Sequence, residues 1–490
     1  MDLLERIDRW GRSTPDRLAH VSEGRQITYG ELLGRSDALA AHLADVLTPR
    51  VPVAVLGHKE PEVLIAFLGA VKSGHPYVPI DTIVPPHRVE RIVQTAGAET
   101  TLTPARVAEI SAYETTRSAQ RNLQPRLASS DPFYIMFTSG STGEPKGVVI
   151  TLGCLTSYVQ WMLAEHAFEP AGEVFLNQVP YNFDVSVMDS YLGLLTGGTI
   201  FSITRHLVAN PKQLYRALAR SGVTTWVSTP SFAQFCLAER TFDAAMLQGV
   251  RRFLFCGETL APEAATELLD RFPEAEVWNT YGPTEATVAT TSIRIDREIV
   301  ERYSPLPIGY AMPGTQLLIR DEAGQLVSPG ERGEIVIVGP NVSPGYLGRA
   351  DLTERAFFEL DGQRAYRTGD WGRQRDGLFF FEGRMDSQIK LHGYRVELGD
   401  VEAHLRALPG VRDAVVLPVV KHGRAQSLTA FVILADKPAQ SEFEVWSALR
   451  AGLAERVPVY MLPRKFHFLE TFPMTPNGKA DRRKLAESLA

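Results

Sequence analysis

The chain has 490 residues, of which 44% are hydrophobic and 22% charged, and its formal net charge is −6. That balance is the profile of a globular chain and excludes disordered, collagenous and coiled-coil classes. Mild acidity without a dense basic block argues against a nucleic-acid partner.

The length suggests roughly three structural units. Three cysteines, Cys154, Cys236 and Cys256, are widely spaced and form no CxxC pair, so neither a zinc site nor a disulfide framework is expected. Scattered thiols fit a reducing cytoplasm. The opening MDLLERIDRWGRSTPDR is charged and amphipathic and lacks the apolar core of a signal peptide. The most apolar stretches, such as VLIAFLGAVKSG, are too short to span a bilayer. The expectation is a cytoplasmic protein without membrane insertion.

Along the first ~130 residues, AHVSEGRQITYGELLGRSDALAAHLADVL reads as strand, turn, strand and helix. VPVAVLG is a short buried strand, and PEVLIAFLGAVKSG an amphipathic helix ended by Gly74. The middle third repeats the alternation: GEVFLNQV and TTWVSTP read as strands, PKQLYRALARSG and PEAATELLDRF as helices. Such alternation predicts an α/β fold with largely parallel sheets and helices on both faces. Near residue 300 the texture changes. From Pro307 to Phe381, short strands with Gly/Pro/Asp turns predict a small β-barrel or bent sheet over about 300–385. After GRMDSQIK the order becomes strand, helix (VELGDVEAHLRAL), strand (DAVVLPVV), strand (LTAFVIL), helix (EFEVWSALRAGLAERV), a compact α+β unit. The major boundary is expected at 385–386, dividing a large domain, 1–385, from a small mobile one, 386–490.

The most informative segment is YIMFTSGSTGEPKGVVI, residues 134–150. An apolar strand runs into a loop of glycines and hydroxyls, followed by Lys146. Glycines let backbone N–H groups converge on an anion, hydroxyls add donors and the lysine adds charge, so the loop suits phosphate. It is not a Walker A loop, because Pro145 stands five residues after Gly140.

TSGSTGEPKG resembles the signature loop of the adenylate-forming superfamily, which includes amino-acid adenylation domains, acyl- and aryl-CoA ligases and luciferases. The resemblance continues in order. NTYGPTEATV (279–288) is similar to the adenine and magnesium motif, YRTGDWGR (366–373) to the ribose motif, GRMDSQIKLHGYRVELGDVE (383–402) to the interdomain hinge, and PMTPNGKADRRKL (473–485) to the motif of the catalytic lysine. YNFDVSVMD (181–189) carries the Phe-Asp pair of amino-acid-activating members, and Asn182 departs from the histidine common in acyl-CoA ligases. FDVSVMD, TPSFAQFCL, FLFCGETL, GEIVIVGPNVSPGYLG and IKLHGYRVEL together resemble stand-alone ligases that charge a small carrier protein with alanine.

This resemblance implies an ATP- and Mg²⁺-dependent enzyme that makes an aminoacyl-adenylate from alanine or a similarly small amino acid. It then passes the aminoacyl group to the phosphopantetheine thiol of an acyl or peptidyl carrier protein. Thr138, Ser139, Thr142 and Lys146 would hold the β,γ-phosphates, with Thr138 in a catalytic role. Glu285 would bind the metal, a hard oxygen donor suiting Mg²⁺. Asn279 and Tyr281 would face adenine, the first by hydrogen bond and the second by stacking. Asp370, assisted by Arg384, would take the ribose hydroxyls. Lys479 would bridge the substrate carboxylate and the α-phosphate, and Asp386 would be the hinge. Asp184 would bind the substrate ammonium, although an Asp ahead of a helix is also a common cap. Cys256 and Val288 would wall the side-chain pocket, although a buried thiol is also ordinary core. Other readings are an adenylation enzyme of a natural-product pathway, using L-alanine or another small amino acid, and an acyl- or aryl-CoA ligase. No Ser-His-Asp or HExxH pattern supports a hydrolase, and the histidines show no metal-ligand spacing.

Overall fold

The structure is a computed structural model that describes residues 3–115, 127–139, 144–386, 388–391, 393–421, 424–436, 441–474 and 480–488. Thr28 opens the helix Tyr29–Val46 with a reciprocal cap: its hydroxyl accepts from the Glu31 N–H, and the Glu31 carboxylate accepts from the Thr28 N–H. The strand Val53–Leu56 then leads to the helix Pro61–Lys72, and Gly74 takes the left-handed backbone (φ 84°) that ends it. That helix is not amphipathic in its surroundings. All twelve of its residues are buried. Gly69 is needed because a Cβ there would lie 2.7 Å from Leu39 of the helix Tyr29–Val46.

The chain divides into two compact units rather than three. The first comprises Met1–Asp81, Val93–Phe137 and Gly147–Met385; the second comprises Thr82–Ile92, Thr138–Lys146 and Asp386–Ala490. In the first unit a nine-stranded sheet runs in the order 310–311, 291–295, 276–281, 252–255, 225–228, 174–177, 199–202, 18–22, 25–28. Its six inner strands, from 276–281 to 18–22, are parallel, and the flanking pairs are antiparallel. A six-stranded sheet runs 345–346, 146–151, 132–138, 77–80, 53–56, 100–102. The short-strand region forms a five-stranded antiparallel sheet from 316–320, 333–338, 363–375 and 357–360, with 378–384 also paired to 363–375. Among the described residues these strands pair along an open path.

The second unit holds another five-stranded sheet: 394–397, 388–391, 424–434 and 411–421 in order, with 465–468 beside 424–434. Val401 and Leu405 of the helix Leu398–Arg406, and Leu449 and Leu453 of the helix Glu442–Ala454, are buried in one core with Val416, Ala430 and Val432 of its strands. Its two short segments, 82–92 and 138–146, were not anticipated from the sequence.

The parallel sheet of the first unit sets out the chemistry. Asn177, Ser228, Phe255 and Tyr281 end four neighbouring strands, and Cys256 follows Phe255 directly. In open α/β sheets ligands gather beyond these carboxyl ends.

Candidate active site

Tyr281 and Asp370 come from strands 276–281 and 363–375, and the structure joins them. The Tyr281 hydroxyl donates to Asp370 Oδ2 at 2.5 Å, and Arg384 Nη1 donates to Oδ1 at 2.6 Å. The same Arg384 nitrogen donates to the Thr368 carbonyl, and the Thr368 hydroxyl accepts from the Asp370 N–H. Burial, and then the Asp370 charge, push the Tyr281 phenol far above its ordinary range, so it remains a donor. A carboxylate has about four lone-pair sites; side chains use two here. Asn279 is buried and its amide donates to the Pro307 carbonyl at 2.8 Å.

Glu285 lies in the short helix Thr284–Ala286 and is fully buried. The Tyr346 hydroxyl donates to its Oε1 at 2.8 Å, and its backbone carbonyl accepts from the Ser343 N–H. The next residues, Thr287 (φ 55°) and Val288 (φ 67°), hold left-handed backbone that β-branched residues disfavour. Asn341 over-determines this strained loop. Its amide donates to the Ala286 carbonyl and the Thr290 hydroxyl, and its own carbonyl accepts from the Thr287 hydroxyl.

Asp184 precedes the wholly buried helix Val185–Thr196, with helical backbone and no side-chain cap bond, so capping is not its role. Its charge reaches the fully buried phenols of Tyr134 and Tyr158, both pushed far up, first by burial. The Cys256 thiol lies 3.5 Å from the Val288 carbonyl. The Tyr134 and Tyr158 hydroxyls have no hydrogen-bond partner among the described residues.

In the second unit, the buried Thr138 hydroxyl likewise has no partner among the described residues. The Ser139 hydroxyl donates to the Arg395 carbonyl and accepts from the Glu397 N–H. Lys146 lies close enough to act on Glu397, whose carboxyl burial raises above its usual range. Asp386 Oδ1 accepts from the Gln388 N–H at 3.0 Å. Thr142, Lys479 and His392 lie outside the described residues. Among the described residues no group of three or more His, Cys, Asp or Glu could hold a metal by itself, and no helix is long and apolar enough to cross a membrane.

Tyr346, Asn341, Thr368 and the two phenols were given no role from the sequence. Tyr346 and Asn341 do lie inside the quoted GEIVIVGPNVSPGYLG, where a buried amide amid an apolar run was the available signal.

Residues 7–347 match the family model described as AMP-binding enzyme, and residues 400–479 match AMP-binding enzyme C-terminal domain. The chain is 46% identical, over 499 aligned positions covering 99% of both chains, to a D-alanine--D-alanyl carrier protein ligase of Bacillus thuringiensis (strain Al Hakam). Among solved structures, it is similar in fold to the Vibrio cholerae adenylation domain AlmE in complex with glycyl-adenosine-5'-phosphate (TM-score 0.85, 20% identity, 100% of this chain and 98% of that one). It is also similar to holo-PA1221, an NRPS protein containing adenylation and PCP domains (TM-score 0.83, 26% identity, 99% and 84%).

Proposed function

The chain belongs to the AMP-binding enzyme family, and from that premise we propose that it is an ATP-dependent D-alanine–carrier-protein ligase. An amino-acid carboxylate oxygen attacks the α-phosphorus of ATP, the acyl–phosphate bond forms and pyrophosphate leaves. The carrier's phosphopantetheine sulfur then attacks the acyl carbon, the thioester forms and AMP leaves. The 46% identity over 99% of a ligase with that name supports both partners.

The observation that supports a small substrate is the contact between Cys256 and Val288. The Cys256 thiol rests 3.5 Å from the carbonyl of Val288, whose backbone Asn341 helps to lock. A thiol at that position narrows the space more than a smaller residue would and so favours a small side chain, and Asp184 would supply the carboxylate that an ammonium leaving water requires.

The nucleotide fits the remaining residues. The buried Thr138 hydroxyl, without a partner among the described residues, is the kind of donor that a phosphate oxygen satisfies. Ser139, Thr142 and Lys146 complete that phosphate set. Asp370 keeps lone pairs for two ribose hydroxyls while Tyr281 and Arg384 hold it still. Asn279 and the Tyr281 ring would meet adenine. Mg²⁺ would be held by Glu285 with phosphate and water oxygens, and it supplies charge neutralisation when bound. Lys479 would stabilise the charge that develops on the reacting phosphate. Residues 386–490 would turn about Asp386 between the half-reactions. Buried free thiols support a cytoplasmic setting.

ATP–pyrophosphate exchange with D-Ala, L-Ala, Gly, Ser and Val, followed by loading of a phosphopantetheinylated carrier or free coenzyme A, tests the reading. D-Ala should lead the panel and the carrier should be charged. Strongest exchange with valine or with an aryl or fatty acid, or equal use of coenzyme A, would sink it.

A further inference from the structure

Lys59, with 1% exposure, grips the segment that leads to Asp184. Its Nζ donates to the Val179 carbonyl at 2.5 Å and to Asn177 Oδ1 at 2.6 Å, and it lies 4.4 Å from the centroid of the Tyr181 ring. Asn177 ends the strand Val174–Asn177; Asp189 lies in the helix that Asp184 precedes. Asn177 Nδ2 donates to Asp189 Oδ1 at 2.7 Å, and Ser190 donates to the same oxygen. Ser202 donates to Asn177 Oδ1, so its oxygen accepts from His20 Nε2, 2.8 Å away, which fixes the tautomer of that buried ring. The turn between is closed by the Phe183 N–H on the Pro180 carbonyl and by the Ser186 hydroxyl on the Phe183 carbonyl. A single ammonium therefore ties the strand end to the turn, and through Asn177 to the helix.

Removing an ammonium from water costs several kcal/mol. A neutral donor could hold one carbonyl, but only an ammonium presents three donors from one atom. Here they meet an amide oxygen, a backbone carbonyl and an aromatic face; burial pulls the pKa of the Lys59 ammonium down to about 7, and the Asp189 and Asp81 charges oppose that fall.

We propose that Lys59 is a positioning residue for amino-acid binding: it fixes Val179–Tyr181 against Asn177 and so sets where the Asp184 carboxylate stands. This rests on the reading of Asp184 as the ammonium partner.

Pyrophosphate exchange on the full chain tests it. Lys59→Met keeps the volume and removes the donors. It should raise KM for D-alanine by about ten- to hundredfold, the scale of a small misplacement at a site, and leave KM for ATP unchanged. Lys59→Gln keeps N–H donors and should fall between; where Lys59→Met does not yield folded protein by circular dichroism, Lys59→Gln carries the comparison. In an Asp184→Asn background, Lys59→Met should add no further rise, because both changes act through one carboxylate. An unchanged KM for D-alanine, equal rises for both substrates, or multiplying effects in the double variant would overturn the proposal. If Asp184→Asn alone leaves KM for D-alanine unchanged, the Asp184 reading fails and takes the proposal with it. If Asp184→Asn is impaired and Lys59→Met is not, only the role of Lys59 fails.

Discussion

Tyr281 and Asp370, 89 residues apart in sequence, meet through a 2.5 Å hydrogen bond on the carboxylate oxygen opposite the one that Arg384 holds. Two donors on two oxygens fix both the position and the rotation of the carboxylate. The Tyr281 ring has a neighbour in Phe381, with centroids 6.1 Å apart. Tyr281, for which only stacking on adenine was expected, is thus a hydrogen-bond donor to Asp370.

Tyr281→Phe keeps the ring and deletes the donor. A hydrogen bond to a charged group contributes about 1.5–3 kcal/mol, so KM for ATP should rise roughly ten- to hundredfold while KM for the amino acid holds. Steady-state exchange with each substrate varied in turn measures this. An unchanged KM for ATP would show that Arg384 alone orients Asp370.

Asn341→Ala should destabilise the first unit and loosen substrate choice together. It removes the donors to the Ala286 carbonyl and the Thr290 hydroxyl and the acceptor of the Thr315 hydroxyl, all buried. A buried group left unsatisfied costs about 1–3 kcal/mol, so a loss of at least about 2 kcal/mol is expected by urea denaturation. Released from that lock, Thr287 and Val288 can leave the left-handed region, and exchange with serine and valine should gain on alanine. Full stability would show that the loop holds itself.

Much of this site was legible because its chemistry needs particular residue types close together in sequence. TSGSTGEPKG suits phosphate by its own glycines, hydroxyls and lysine, whereas the ribose reading of YRTGDWGR rests on family resemblance. What was not legible depends on distant partners. The helix Pro61–Lys72 reads as amphipathic through Glu62 and Lys72, yet both are buried. Glu62 is held by Arg25 and Arg35, and Lys72 by Asp8 and Asp37. Lys59 was given no role from the sequence, and its partners lie 118 and 120 residues away.

Asp386 and Lys479 should fail in opposite ways. Asp386→Pro fixes φ near −65° and should block rotation, so adenylate formation persists while carrier loading collapses. Asp386→Ala removes the acceptor of the Gln388 N–H but leaves the backbone free, and should load normally. Lys479→Ala should lower exchange by about 10²–10³, the loss typical of one charge-stabilising donor, and spare transfer from presynthesised aminoacyl-adenylate. Equal loss of both half-reactions in Asp386→Pro would place the hinge elsewhere or indicate misfolding.

Cys256 should set the upper size of the side chain. It is 1% exposed directly after the strand Arg252–Phe255, and its thiol lies 3.5 Å from the Val288 carbonyl within the buried core of the first unit. Single methylene differences in a packed pocket are worth about 1–3 kcal/mol, or ~10–200-fold in discrimination. Cys256→Ala should therefore raise kcat/KM for serine and valine relative to alanine. It should also blur the choice between D- and L-alanine, because exchanging hydrogen and methyl at Cα turns the methyl toward a different wall. A cavity left by the lost sulfur costs stability too, so the ranking within one variant is the informative quantity, not its absolute rate. The measurement is kcat/KM for D-Ala, L-Ala, Gly, Ser and Val in both proteins. A ranking that does not move would make Cys256 ordinary core and would leave substrate size to Val288 and the phenols of Tyr134 and Tyr158.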